Sequence, residues 1–294
     1  MKTTKIAMAA GAVLTALGTA PAAGAADFAS DRITVTASGE GPDVVLIPGL
    51  TSSPEIWADT AAAIPGYRYH FVQLSGFAGA PPTGNANGQV VSASAAEIAR
   101  YIKERGLKHP AVIGHSMGGT LGMMVAARNP DLVDRLMVVD MVPFAGIFFG
   151  PPGTTADSVR ATADMVKTNL LTQSDDAHVK SIEANIATMV TDPAKRAAPV
   201  RHGVTSDRDV SARAMHELIT TDLRGELGQY KGKLTVLYVK QPTVPITAGQ
   251  FDAVYKLSYA AAPQAALKRI DDSLHFIMFD QPERFRDEVR AFLN

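Results

Sequence analysis

The sequence predicts an α/β protein with a mostly parallel sheet flanked by helices. From Ile33 onward, short aliphatic and β-branched runs alternate with segments of helical periodicity, the pattern of strands joined by crossover helices. Hydrophobic residues form 46% of the 294 residues, which is enough to bury a large core. The chain has 28 Lys and Arg against 29 Asp and Glu, so a basic surface for nucleic acid is not expected.

The first 26 residues have the pattern of an export signal. Lys2 and Lys5 precede an uncharged stretch over residues 6–20, and small residues at 23–26 match the pattern before a cleavage site. The stretch is shorter than a membrane-spanning helix and is dominated by Ala, Gly and Thr. We therefore predict a cleaved signal peptide at 1–26, a mature form without a membrane span, and a periplasmic or extracellular location.

The elements predicted next alternate between strand and helix. Strands are expected at 33–36, 44–47, 67–74, 111–113 and 136–139, and helices at 91–104 and 121–128. Gly106 ends the first helix, and Asn129-Pro130 ends the second. Residues 27–145 therefore form the first part of the predicted sheet domain.

The pattern changes near residue 145. Residues 150–153, Gly-Pro-Pro-Gly, break the chain, and the following polar block lacks strand runs up to about residue 228. Helices are expected there at 159–171, 176–190 and 210–223. Later elements are strands at 234–239 and 267–270, a helix at 248–261, and a closing amphipathic helix. We predict a helical lid at 146–228, inserted between core segments 27–145 and 229–294.

The strongest chemical signal is a G-x-S-x-G motif, Gly114-His115-Ser116-Met117-Gly118. It lies between the strand that ends at Ile113 and the helix that continues through Leu121, the strand-turn-helix context the motif requires. The glycines permit a tight turn that raises the Ser116 hydroxyl above the sheet, with the Met117 N–H at a helix N-terminus. The pattern predicts Ser116 as nucleophile and Met117 as an oxyanion-hole donor, although a glycine-rich turn with a surface serine has the same spacing.

On this motif the chain resembles the α/β-hydrolase superfamily, over nearly everything after the leader except the inserted block. In that family a strand followed by His-Gly supplies a second oxyanion amide, and residues 45–50, Val-Leu-Ile-Pro-Gly-Leu, occupy that place here. Pro48 replaces the usual histidine, while Gly49 still permits the turn. The resemblance thus implies that the Leu50 N–H is the second oxyanion-hole donor.

A serine hydroxyl needs a general base to take its proton during attack. His275 follows the last predicted strand, and residues 272–285 resemble the family's histidine loop and its Pro-Glu-x-Phe helix start. The resemblance therefore implies that His275 is the base. The remaining histidines are expected at the surface or in packing roles: His70, His109, His115, His178, His202 and His216.

The acid of the triad departs from the family pattern. The family usually carries an Asp shortly after the strand expected at 234–239, but residues 240–245, Lys-Gln-Pro-Thr-Val-Pro, contain no carboxylate. A subset of the family has its acid one strand earlier, where this chain has Asp140. We predict that Asp140 orients His275, and the alternatives are Asp252, Asp271 and Asp272.

The resemblance implies a serine hydrolase but does not identify the substrate. The aromatic side chains of Trp57, Phe144, Phe148 and Phe149 are predicted to line an apolar pocket for an uncharged acyl or aromatic group of a small molecule. The alternative for the three phenylalanines is that they pack the lid on the core. The chain has no cysteine, metal-ligand spacing or phosphate loop, so neither a metal nor another cofactor is expected.

Carboxylic ester hydrolysis is the leading prediction. A lactonase, an amidase, a carbon–carbon bond hydrolase and a non-catalytic binding protein remain alternatives on the same fold.

Overall fold

A seven-stranded sheet positions the site, in a computed structural model that describes residues 28–242 and 244–294. Its strands are β1 (Ile33–Ser38), β2 (Asp43–Ile47), β3 (Arg68–Leu74), β4 (Ala111–His115), β5 (Arg135–Val139), β6 (Lys233–Tyr238) and β7 (Ala266–Arg269). They lie in the order β1-β3-β2-β4-β5-β6-β7. β1 pairs antiparallel with β3, and the other neighbours pair in parallel. The predicted α/β class with a mostly parallel sheet is confirmed, while the predicted signal segment lies outside the described residues.

The central strands are mostly apolar because helices cover both faces of the sheet. Side chains alternate between the faces, so Val112 of β4 packs in one core cluster while Ile113 packs in the other. The structure describes ten helices: α1 (Ala58–Ala63), α2 (Val91–Glu104), α3 (Met117–Arg128), α4 (Arg160–Thr172), α5 (Asp175–Ala187), α6 (Ala197–Thr205), α7 (Arg208–Thr220), α8 (Ala248–Ser258), α9 (Ile277–Asp280) and α10 (Pro282–Leu293). Among the described residues, no helix is long and apolar enough to cross a bilayer.

Helices α4 to α7 all lie between β5 and β6 in the chain, inside the segment predicted as a lid. Three of them match predicted helices, but α6 was not predicted. Its sequence contains Pro199 in the first turn, where proline is tolerated, and Gly203 in the last. A side chain at Gly203 would lie 2.8 Å from Ile182 of α5, so the glycine serves the close packing of these two helices rather than breaking the helix.

Candidate active site

Ser116 occupies a strained turn between β4 and α3. Its backbone has φ 54° and ψ −124°, outside the regions that non-glycine residues favour. The Ser116 N–H donates to the Val139 carbonyl at 2.8 Å, and the Ser116 carbonyl accepts from the Gly119 N–H at 2.8 Å. Hydrogen bonds on both sides thus hold a conformation that would otherwise relax.

The glycines of the motif are required by close backbone contacts. A Cβ at Gly114 would lie 2.1 Å from the Gly118 carbonyl oxygen, and a Cβ at Gly118 would lie 2.2 Å from the Ile47 carbonyl oxygen. The second contact joins the first turn of α3 to the end of β2. It therefore brings the segment that contains Met117 against the segment that leads to Leu50.

The sequence-predicted base and acid are in direct contact. The Nδ1 atom of His275 lies 2.6 Å from Oδ2 of Asp140, which is buried at the end of β5. Asp140 also has a positive φ of 54°, and its backbone N–H donates to the Leu237 carbonyl at 2.7 Å. A carboxylate at this distance favours the tautomer with the proton on Nδ1, in which Nε2 is the acceptor nitrogen.

The other candidate acids have different partners. Asp252 accepts from the Tyr238 hydroxyl at 2.8 Å and from Nη1 of Arg269 at 2.6 Å. Asp271 pairs with Nε of the same arginine at 2.7 Å. Among the described residues, no hydrogen bond or ion pair joins Asp252, Asp271 or Asp272 to His275, so the structure favours Asp140 among the carboxylates considered.

His115, directly before the nucleophile candidate, supports the loop that carries His275. It is fully buried, and its Nε2–H donates to the His275 carbonyl oxygen at 3.0 Å. The two imidazole rings lie 4.6 Å apart between centroids. Burial, together with the neighbouring His275, holds the pKa of His115 well below its ordinary value. The neutral ring therefore serves as a fixed donor.

The predicted oxyanion-hole residues lie on the two segments that meet at Gly118. Met117 is the first residue of α3, where backbone N–H groups have no acceptor within the helix. Leu50 lies in a turn closed by the Ser52 N–H, which donates to the Gly49 carbonyl at 3.1 Å. A Cβ at Gly49 would lie 3.1 Å from the Ser116 Cβ, so this turn approaches the serine closely.

A cavity of about 200 Å³ contains Ser116 and His275 in its wall. The turn at Gly49 to Ser52 forms one side of this cavity. The opposite side comes from helices between β5 and β6, with lining residues Leu170, His178, Ile182, Asn185, Ile186, Met189, Pro199, Gly203, Ser211, Met215 and Leu218. The wall is therefore largely apolar, with a few polar groups.

The four aromatic residues predicted to form the pocket do not line this cavity, which corrects the sequence-based expectation. Trp57 is fully buried and stacks on Phe285, while Phe144 is buried against helices α4 and α7 under the Arg224 guanidinium. Phe149 packs beside Phe144. Phe148 is 50% exposed. Phe144 and Phe149 thus fill a joint with the inserted helices α4 and α7, because large aromatic groups gain most from burial.

The residues of the inserted segment that line the cavity were not identified from the sequence. On α5 and just beyond it, His178, Ile182, Ile186 and Met189 recur at spacings of three or four residues, which is the spacing of one helical face. That periodicity indicates a face that packs against something. It does not distinguish a cavity wall from a core contact.

Within residues 28–242 and 244–294, no three His, Asp or Glu side chains are grouped so that they could hold a metal ion. Ser116 and His275 lie in the cavity wall, and Asp140 contacts His275. A serine and a histidine in one cavity wall, with a carboxylate in contact with the histidine, are the groups that acyl transfer requires.

Residues 44–288 match the alpha/beta hydrolase family, and the chain belongs to that family. The protein is thus a hydrolase of the alpha/beta class. Mouse sn-1-specific diacylglycerol lipase ABHD11 is 24% identical over 263 residues, covering 86% of this chain and 81% of that protein. The pimeloyl-[acyl-carrier protein] methyl ester esterase of Aliivibrio fischeri strain MJ11 is also 24% identical, covering 87% of this chain and 95% of the relative.

Among solved structures, the enol-lactonase from Burkholderia xenovorans LB400 superimposes with a TM-score of 0.71 at 19% identity. The superposition covers 89% of this chain and 96% of the lactonase. At this identity the likeness concerns the fold, and it confirms the predicted α/β-hydrolase architecture.

Proposed function

We propose that this protein hydrolyses carboxylic esters of small, uncharged acyl or aromatic groups through an acyl-enzyme. The observation that carries the proposal is the 2.6 Å contact between His275 Nδ1 and Asp140 Oδ2, with Ser116 and His275 in the wall of one cavity. Esterase-type relatives that cover most of the chain support the same reaction class.

The proposed reaction proceeds in two halves. The Ser116 hydroxyl attacks the ester carbonyl carbon while His275 Nε2 takes its proton, and the Leu50 and Met117 N–H groups donate to the oxyanion that forms. His275 then protonates the leaving alcohol as the C–O bond breaks. Water then attacks the acyl-enzyme while His275 takes its proton, the bond between Ser116 Oγ and the acyl carbon breaks, His275 returns the proton to Ser116 Oγ, and the carboxylic acid product leaves. Asp140 stays ionised and holds the imidazole in its orientation.

The cavity indicates a small substrate. Its volume of about 200 Å³ lies below the roughly 300–1,000 Å³ common for ligand sites. We therefore expect p-nitrophenyl acetate and butyrate to be hydrolysed faster than the palmitate ester. Small lactones and anilides belong in the same panel, because the same groups would open a lactone or an amide.

Fluorophosphonate labelling tests the nucleophile directly. Wild-type protein should acquire one adduct, located on Ser116 by mass spectrometry, and Ser116→Ala should lose both the label and the esterase activity. A wild-type protein without label or turnover would instead favour a non-catalytic binding protein. A preferred lactone, amide or ketone substrate would replace the ester assignment while retaining the triad.

We propose further that the protein is exported after removal of residues 1–26, and that segment 146–228 acts as a lid on the core of 27–145 and 229–294. Expression of the full chain in a Gram-negative host should yield periplasmic protein that begins at Asp27. Leu14→Arg, which places a charge in the apolar stretch, should leave an uncleaved cytoplasmic product. Cytoplasmic wild-type protein that retains Met1 would contradict the export proposal.

A further inference from the structure

We infer that Tyr255 of α8 is a positioning residue for the triad acid, because its hydroxyl helps to hold Asp140 in the orientation that faces His275. The inference rests on the proposed function, since it assigns Asp140 a role as the partner of the base. It extends the site to a helix that contributes no residue to the cavity.

Both oxygens of the Asp140 carboxylate are engaged. Oδ2 faces His275 Nδ1 at 2.6 Å, while Oδ1 accepts from the Val239 N–H at 3.0 Å and from the Tyr255 hydroxyl at 3.3 Å. The two donors to Oδ1 come from the end of β6 and from α8. Rotation of the carboxylate away from His275 would break all three contacts, so Tyr255 and Val239 together fix its plane.

The Tyr255 ring is itself held firmly. It is 2% exposed, and it stacks on Tyr238 with centroids 4.0 Å apart and an interplanar angle of 16°. The Tyr238 hydroxyl is in turn anchored on Asp252. Burial and the negative charge of Asp140 raise the pKa of Tyr255 well above its ordinary value, so its hydroxyl remains a donor.

This arrangement gives a role to the segment that follows β6. Residues 240–245 contain no carboxylate, so this segment supplies no acid of its own. It instead leads into α8, which contributes the Tyr255 hydroxyl to an acid carried by β5. The effect is specific to orientation: Tyr255 is absent from the cavity wall, so its loss should change the turnover number and leave the apparent substrate affinity intact.

Tyr255→Phe removes only the hydroxyl, and Tyr259→Phe is the matched control. Tyr259, directly after α8, is equally buried, and its hydroxyl donates to the Met141 carbonyl oxygen at 2.8 Å. With p-nitrophenyl butyrate we expect kcat of Tyr255→Phe to fall about tenfold with KM within about twofold of wild type. For Tyr259→Phe both parameters should stay within about twofold of wild type.

Proton NMR gives a readout independent of turnover. The low-field resonance of the His275 Nδ1–H that faces Asp140 should move in Tyr255→Phe and stay in place in Tyr259→Phe. Equal kcat losses in both variants, or an unmoved resonance with unchanged kcat in Tyr255→Phe, would overturn the inference while the proposed function stands. A wild type that neither labels nor hydrolyses esters would overturn the proposed function instead, and the resonance would still test the contact between Tyr255 and Asp140.

Discussion

Asp140 and His275 are 135 residues apart in the chain, yet Oδ2 of one lies 2.6 Å from Nδ1 of the other. Asp140 directly follows β5 and His275 follows β7, with β6 between these strands in the sheet. Because β5, β6 and β7 are parallel, their carboxyl ends meet at one edge of the sheet. The pair is therefore a product of sheet topology and does not depend on a local sequence motif.

Replacement of the acid tests this pair. Asp140→Asn keeps the shape of the side chain but removes the charge that stabilises the imidazolium, so we expect kcat on p-nitrophenyl butyrate to fall by about 10³–10⁴-fold. Asp252→Asn is the matched control, because Asp252 pairs with Tyr238 and Arg269 and should retain nearly full activity. The reverse ranking of the two variants would show that the acid is misassigned.

The sheet and the turn at Ser116 could be predicted because their signals are local. Continuous apolar strands identify the parallel sheet, and the glycines around Ser116 identify a turn whose contacts leave no space for a Cβ. Chain order placed His275 and Asp140 at strand ends. The resemblance to the α/β-hydrolase superfamily singled out these two residues, and parallel strands bring such ends to one edge of the sheet.

The cavity wall could not be predicted because it depends on how four helices pack. Phe144 and Ile186 are both apolar, but only the path of the inserted helices decides that Phe144 is buried in a joint while Ile186 faces the cavity. Helix α6 was not predicted because Gly203 lowers helix propensity. The glycine is needed for a close contact with Ile182 of α5, which the sequence of α6 does not show. The hydroxyl of Tyr255 reaches Asp140 across 115 residues, and no sequence pattern signals that contact.

The close approach of α3 to β2 gives a stability prediction. Gly118→Ala would place a Cβ 2.2 Å from the Ile47 carbonyl oxygen, so the backbone must shift, at a cost of about 3 kcal/mol in the free energy of unfolding. Gly249→Ala is the control, because its Cβ meets nothing within 4 Å in the first turn of α8. Urea denaturation should show a large loss for the first variant and a neutral or slightly positive effect for the second. If Gly118→Ala unfolds at the same urea concentration as the wild type, the close contact between α3 and the end of β2 is contradicted.

The buried neutral His115 makes stability depend on pH. Its pKa is depressed in the folded state, so the unfolded chain binds a proton below the ordinary value of 6.5 while the folded chain does not. Stability is therefore full above that pH and falls below it, by up to about 1.4 kcal/mol per pH unit. His115→Gln retains a donor for the His275 carbonyl and should lose this component. Urea titrations at about pH 8 and about pH 5 give the difference in the free energy of unfolding between the two pH values. If this difference is the same in His115→Gln as in the wild type, a neutral His115 is contradicted.

Glu217 joins α7 of the inserted segment to the start of α2 in the core. Its carboxylate accepts from the Val90 and Val91 N–H groups at 2.9 Å and from the Ser92 N–H at 2.8 Å. An anion at a helix N-terminus satisfies unpaired donors and the helix dipole. Glu217→Gln should lower the free energy of unfolding by about 1–2 kcal/mol.

Glu226→Gln is the control for that substitution. Glu226 pairs with Arg128, and both side chains are more than 40% exposed, so the loss should stay below about 1 kcal/mol. Thermal and urea unfolding measure both variants. Equal effects would mean that Glu217 is no more than a surface charge.

Met215 on α7 lines the cavity in which we propose that the acyl group binds. Its side chain lines the cavity of about 200 Å³, so Met215→Ala should extend the cavity in the direction of the inserted helices. Each methylene of a longer acyl chain that fits into the enlarged apolar cavity strengthens binding. The ratio of kcat/KM for p-nitrophenyl octanoate to that for p-nitrophenyl acetate should therefore rise about tenfold. Met165→Ala is the matched control, because Met165 of α4 is 56% exposed and lies outside the cavity wall. An identical chain-length profile in Met215→Ala and Met165→Ala would mean that the acyl group binds elsewhere.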